Sequence, residues 1–436
     1  MNHKIFFFIF SGITAAIFAA CASVPAPPAL PGTVLQSNLK QDMHPDASLS
    51  DLKMAVAGNQ DFTLDFYQAV RSQPGNLFFS PYSLYSALGM AYAGARGETE
   101  RQMADALHYG LAQEKLHAAL NSLDLQINST AKKNPPADDP LPFQLRSANT
   151  LWGQKDYSFL PAYLDVLSRN YGAGMHVVDF ARDPEAARLE INDWVYQQTE
   201  ERIKDLVPPD GVSSATRLAL VNAIYFKADW AFPFEPSSTR EIPFIKLDGS
   251  QVDVPMMSFL KWTNLLHTSG DGFQALELPY VGEGVVMNVI VPDKGRFEEF
   301  ESKLDSGVLN DIFESMQPAV ISLVLPKFEF SSSFRLSDTL AEMGMEDAFN
   351  PGAADFSGID GKGELSIGEV FHKAFVAVDE KGTEAAAATA IIMEAMSAMN
   401  EPDVRLVVDR PFIFLIRDKS SGAILFLGRL TDPRNE

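Results

Sequence analysis

Residues 379–400 read DEKGTEAAAATAIIMEAMSAMN, a string that few folded elements can accommodate. Ala385, Ala386, Ala387 and Ala388 are the strongest helix formers known, and Glu384 and Glu394 favour a helix too. Gly382, however, stands just before the run, where it offers a flexible hinge rather than a firm cap. The segment also lies between two strand-like stretches, Lys373–Val378 and Val404–Val408. Local physics leaves two readings open. One is an exposed alanine-rich helix, and the other is a long loop joining two strands.

The surrounding chain predicts an α+β domain with substantial sheet. Asp61–Arg71 and Glu185–Thr199 carry apolar residues at helical spacing, and Leu84–Tyr92 reads as a buried helix closed by Gly94. Leu218–Phe226 is a dense apolar run suited to a central strand. Val285–Val291 and Val320–Leu325 read as strands ended by Pro292 and Pro326. Pro411–Ile416 and Ala423–Leu430 form an expected strand pair across Lys419–Gly422. Helices and strands alternate irregularly, which argues against a doubly wound parallel sheet. Residues 132–142 read as a polar, proline-rich surface loop.

The N-terminus belongs to a different regime. Lys4 precedes an apolar run, Ile5–Ala20, too short for a membrane span and suited to a signal peptide. It ends on Phe18-Ala19-Ala20-Cys21, which resembles a bacterial lipobox; Phe18 departs from its usual Leu or Val. In that resemblance Cys21 becomes the lipid-carrying N-terminus, with the membrane as a partner through the anchor. The protein would then be secreted across the inner membrane and held at the cell envelope. Ala22, where Asp would retain it, favours the outer membrane. Pro25, Pro27, Pro28, Pro31 and Pro45 then suggest an extended spacer. The expected division is a signal peptide over 1–20, a spacer over 21–54 and a domain over 55–436.

Charge and cysteine count narrow the function. A net charge of −22 repels phosphate backbones, so no nucleic-acid partner is expected. A single cysteine excludes an intrachain disulfide and any zinc site needing two thiolates. The seven histidines are scattered, so no metal site is expected. No hydrolase elbow, zinc-helix pair, phosphate loop or dinucleotide fingerprint is present. Ser258 and Lys261 match a Ser-x-x-Lys pattern but lack its partner motifs.

Ordered motifs then carry a resemblance. Asn76–Ser83, Ala87–Met90, Gly94–Met103, Ile191–Val195 and Leu220–Lys227 are followed by Trp230 and Leu278–Tyr280. Leu325–Phe328, Ala354–Ser357, His372–Ala374, Glu380–Ala385, Arg410–Phe412 and Leu425–Gly428 complete the series. Together they resemble the serpin family from about Ala55 to Pro433. The resemblance implies a serpin fold with three β-sheets, about nine helices and an exposed reactive-centre loop. It resolves the alanine run as that loop, and it implies an inhibitor of serine proteases rather than an enzyme. A protease attacks the loop, forms an acyl-enzyme, and is trapped when the loop inserts into the central sheet. In a strand, Thr383, Ala385, Ala387, Thr389 and Ile391 would face inward. Small residues there avoid overpacking, which costs ~1–3 kcal/mol per offence.

The family's count of seventeen residues from Glu380 puts Met396 and Ser397 on either side of the reactive bond. Ala395, Ala398 and Met399 are the alternatives. An unbranched apolar side chain suits chymotrypsin-, elastase- or subtilisin-like partners and not a trypsin-like pocket. Glu380 and Lys327 should pair near Trp230 where insertion starts, and Ser80, Ser83, Asn222 and His372 should cluster under the sheet. No cofactor is expected, and the protein is expected to be a monomer. The competing reading is a non-inhibitory member that binds ligands or chaperones other proteins.

Overall fold

The computed structural model describes residues 33–130, 143–259, 261–383 and 401–434. Residues 1–20, Cys21, the expected surface loop 132–142, Ala385, Ala386, Ala387, Ala388, Met396 and Ser397 lie outside the described residues.

Among the described residues, Leu218–Phe226 are all buried, so this strand must be covered on both faces. Ala219, Val221 and Ala223 pack with Trp194 and Ile191 of the helix Pro184–Gln198. Ile224 and Phe226 face the opposite way, against Leu276, Val289 and Phe414 of a second sheet. The strand is therefore the middle of a three-layer arrangement. Phe328–Arg335 behaves differently: Phe328, Phe330, Ser332 and Phe334 are buried while the residues between them are exposed. That alternation belongs to an edge strand with one wet face.

The first sheet has seven strands in the order Thr33–Leu35, Met175–Val178, Phe143–Gln154, Leu218–Asp229, Gly382–Thr383, Glu369–Val378 and Phe328–Arg335. Leu218–Asp229 and Glu369–Val378 pair directly and in parallel from Ala219↔Glu369 to Tyr225↔Phe375. Above that point they part, and Gly382–Thr383 lies antiparallel between them. The remaining ten strands form one hydrogen-bonded network. The second and third expected sheets are continuous there through Gln317–Pro326. Its first half pairs with Thr263–Gly270 and its last residues with Gln251–Ser258. Eleven α-helical segments occur among the described residues, three of them single turns of four residues.

Residues 33–54, expected to belong to a spacer, are part of the folded body. Thr33–Leu35 is a strand, and the first helix spans Leu49–Val70. Ser48 caps that helix: its hydroxyl accepts from the Asp51 amide, and the Asp51 carboxylate accepts from the Ser48 amide. The capping box, not hydrophobic periodicity, starts the helix, so a reading by periodicity placed the boundary too late.

Candidate functional site

Two neighbouring groups of residues govern the place where the parallel strands part. The first surrounds Gly382. Asp379 and Gly382 stand at the ends of a tight turn, as the Asp-x-x-Gly spacing favours. The Asp379 carboxylate accepts from the Lys381 amide at 2.8 Å and from the Gly382 amide at 3.2 Å, and the Asp379 amide donates to the Gly382 carbonyl. The turn folds the chain back into the gap. A β-carbon on Gly382 would lie 2.1 Å from the Ala228 carbonyl oxygen. Glycine is needed here for close approach, whereas the sequence suggested flexibility.

Thr383 follows and is 1% exposed, its hydroxyl 2.7 Å from the Tyr280 hydroxyl. Tyr280 stacks on Trp230 with ring centroids 4.4 Å apart. Trp230 in turn donates its indole N–H to the Asp379 carbonyl and its backbone amide to the Lys381 carbonyl. Lys327 Nζ lies 2.9 Å from Glu380 Oε2, and Thr239 donates to the other carboxylate oxygen at 2.8 Å. Burial pushes the Glu380 carboxyl up. Lys327, the Glu380 amide and Thr239 outweigh burial and hold it below the usual carboxylate range. Lys327 is largely solvated, so the pair orients the turn more than it stabilises the fold.

The second group lies below the gap, where the two parallel strands are paired. Ser80 caps the helix Pro81–Tyr92, its hydroxyl accepting from the Ser83 amide and donating to the Leu425 carbonyl. The Ser80 amide donates to His372 Nε2 at 3.1 Å. Because an amide can only donate, Nε2 carries the lone pair, and Nδ1–H must donate to Asn222 Oδ1. Asn222 Nδ2 then donates to Ser83 Oγ at 2.7 Å and to Asn149 Oδ1. Ser83 Oγ also meets Asn149 and Ser147 of the adjoining strand. His372, Asn222 and Asn149 are in register across three strands. One network thus bolts the parallel pair together and ties it to the helix beneath.

The structure brings Ser80, Ser83, Asn222 and His372 together, and likewise Glu380, Lys327 and Trp230. Sequence reasoning missed Asn149, Ser147, Tyr280, Thr239 and Asp379. The Asp-x-x-Gly turn was available as a signal for Asp379. Asn149 and Ser147 lie on a strand whose partner, Leu218–Asp229, is far away in the chain, and Tyr280 and Thr239 lie just outside strands.

Burial pushes the His372 imidazole down to about 3, the Asn222 contact pulling weakly the other way. The unfolded chain takes up that proton near pH 6.5, whereas the folded protein refuses it until far lower. His372 therefore supports full stability above pH 6.5, and that stability is lost as pH falls towards the folded value. Urea unfolding at pH 7 and pH 5 should differ by roughly 2 kcal/mol from this histidine alone. Equal stability at the two values would contradict the assignment.

Among the described residues, no group of three or more His, Cys, Asp and Glu could hold a metal ion. No helix among them is long and apolar enough to cross a membrane.

The profile of the family described as Serpin (serine protease inhibitor) matches residues 57–433. An uncharacterized serpin-like protein of Thermococcus kodakarensis is 40% identical over 384 residues, 88% of this chain and 87% of that one. The leukocyte elastase inhibitor of Xenopus tropicalis is 38% identical over 85% of this chain and 97% of its own. The crystal structure of Serpin48, a highly specific serpin of the insect Tenebrio molitor, superposes with a TM-score of 0.76. It is 30% identical and covers 89% of this chain and 100% of its own.

Proposed function

The chain belongs to the serpin family, and from that premise we propose that it inhibits serine proteases by trapping them in a suicide reaction. One observation carries the reading: Gly382–Thr383 already lies as an antiparallel strand in the gap between Leu218–Asp229 and Glu369–Val378. Continuing the register Gly382↔Asp229 and Thr383↔Ala228 would set Ala385 beside Phe226, Ala387 beside Ile224 and Thr389 beside Asn222. Ala385, Ala387 and Thr389 are small, so this part of the strand can zip downward without overpacking.

In the reaction, the protease serine attacks the Met396 carbonyl carbon and the Met396–Ser397 bond breaks. The new amine departs on Ser397, and Met396 is left as an ester on the protease. Insertion of the loop then separates the parallel pair between Ala219 and Tyr225 and carries the protease away from its working geometry. Inserting a strand gains about 1 kcal/mol per new hydrogen bond, while ordering it costs ~1–2 kcal/mol per residue. These nearly cancel, so strain in the uninserted sheet supplies the drive. The protein contributes no catalytic residue, needs no cofactor and acts as a monomer. The acylated residue is apolar and unbranched, which suits elastase-, chymotrypsin- and subtilisin-like enzymes. Cys21 carries lipid and holds the inhibitor at the cell envelope, on the outer membrane. This last part is supported by residues 18–22 alone.

The test is to mix the protein lacking residues 1–21 with chymotrypsin, pancreatic elastase, subtilisin and trypsin. A complex that survives denaturing gels, with cleavage after Met396 by mass spectrometry, is the expected result. Rapid loop cleavage by all four with no complex would overturn the inhibitory reading in favour of a binding or chaperone role.

A further inference from the structure

The family profile begins at residue 57, yet residues 33–48 are tied closely to the body. Thr33–Leu35 adds an outermost strand to the first sheet, pairing with Met175–Val177. Ser37 donates to Asp165 on the helix Pro161–Tyr171. The Asp42 amide donates to the Arg169 carbonyl of the same helix at 2.8 Å. Asn121, on the helix Gln113–Thr130, donates to both the Asp42 and the Arg169 carbonyls, and Gln41 donates back to Asn121. Lys115 pairs with Asp46 at 3.1 Å, and Ser48 then enters the first helix through its capping box. Sixteen residues thus cross-link the sheet edge to three helices.

The body makes room for this segment. A β-carbon on Gly174 would lie 2.8 Å from the Leu35 carbonyl oxygen and 2.8 Å from a Val34 methyl. Gly174 is not in a left-handed conformation, so residues 34–36, and not backbone geometry, require glycine there.

Opening the sheet for a new strand demands about one inter-strand spacing, ~4.8 Å, between Leu218–Asp229 and Glu369–Val378. The strands Phe143–Gln154 and Met175–Val178 lie on one side of that opening, at the edge the segment grips. Any slide of this edge past the helices Gln113–Thr130 and Leu49–Val70 strains hydrogen bonds of about 3 Å reach, which weaken steeply when lengthened. We infer that residues 33–48 form a restraining strap whose grip on the sheet edge sets how readily the sheet opens. The inference rests on the loop-insertion reading above.

Gly174→Ala tests it without altering the strap, and Asn121→Ala removes the central fastening. Both are made in the full chain. The measurement is the rate at which uncleaved protein, held warm below its unfolding midpoint, converts to a form as heat-resistant as the loop-cleaved parent. Loss of the fastenings should speed conversion about tenfold, the change produced by one ordinary hydrogen bond's worth of barrier. Parental rates in both variants, with a loop-cleaved parent that does gain heat resistance, overturn the strap alone. A loop-cleaved parent that gains none overturns insertion and the strap together.

Discussion

Replacing Thr383 by arginine should convert the protein from an inhibitor into a substrate. Thr383 is 1% exposed, and its hydroxyl meets Tyr280 within a wall formed by Trp230 and Phe226. A guanidinium would be expelled from the gap into water, and the loop could then insert only by burying it again, at a cost of several kcal/mol. Inhibition depends on insertion outrunning hydrolysis of the acyl-enzyme, and each 1.4 kcal/mol added to the insertion barrier slows it tenfold. The moles of inhibitor consumed per mole of protease should rise at least about tenfold, with the loop still cleaved. Thr383→Val keeps the shape and loses only the Tyr280 hydrogen bond, so it should remain an inhibitor. An unchanged yield of complex from Thr383→Arg would mean that the loop does not insert through this gap. A binding or chaperone protein would be indifferent to both substitutions.

Asn222→Ala should be the most damaging single change away from the loop. Asn222 is fully buried and links His372, Ser83 and Asn149 in one network. Its removal strands the His372 N–H and leaves Ser83 and Asn149 short of a partner, each at about 1–3 kcal/mol. The uninserted protein should lose roughly 3–5 kcal/mol in urea unfolding. Because the lost bolts join the two strands that must separate, the variant should also convert faster to inserted and polymeric forms on native gels. A midpoint within error of the parent would show that the network contributes nothing to closure.

Much of this could be read from residues alone, but unevenly. Leu218–Phe226 announced a central strand through its unbroken apolar run, and the strand extends only three residues further, to Asp229. Val285–Val291 was equally legible because prolines and β-branched residues mark its limits. Phe328–Arg335 was not, since Ser331, Ser332 and Ser333 resemble a turn; the strand forms because eight residues pair with Glu369–Val378. The first helix was placed late because its opening turns carry exposed Leu49 and Met54 and little periodicity.

The site divides in the same way. Motif order sufficed to single out Glu380, Lys327, Trp230, Ser80, Ser83, Asn222 and His372, because those residue types recur at defined places along the chain. It could not reveal Asn149 or Tyr280, whose roles depend on contacts 73 and 103 residues away. By itself the sequence determined the fold class and, through the order of its motifs, the family and the polar residues that meet beneath the sheet. Only the tertiary structure decided that Gly382–Thr383 already occupies the gap, that His372 holds its proton on Nδ1, and that residues 33–48 grip the sheet edge. These depend on close approach and hydrogen-bond direction between distant segments, which exist only once the chain has packed.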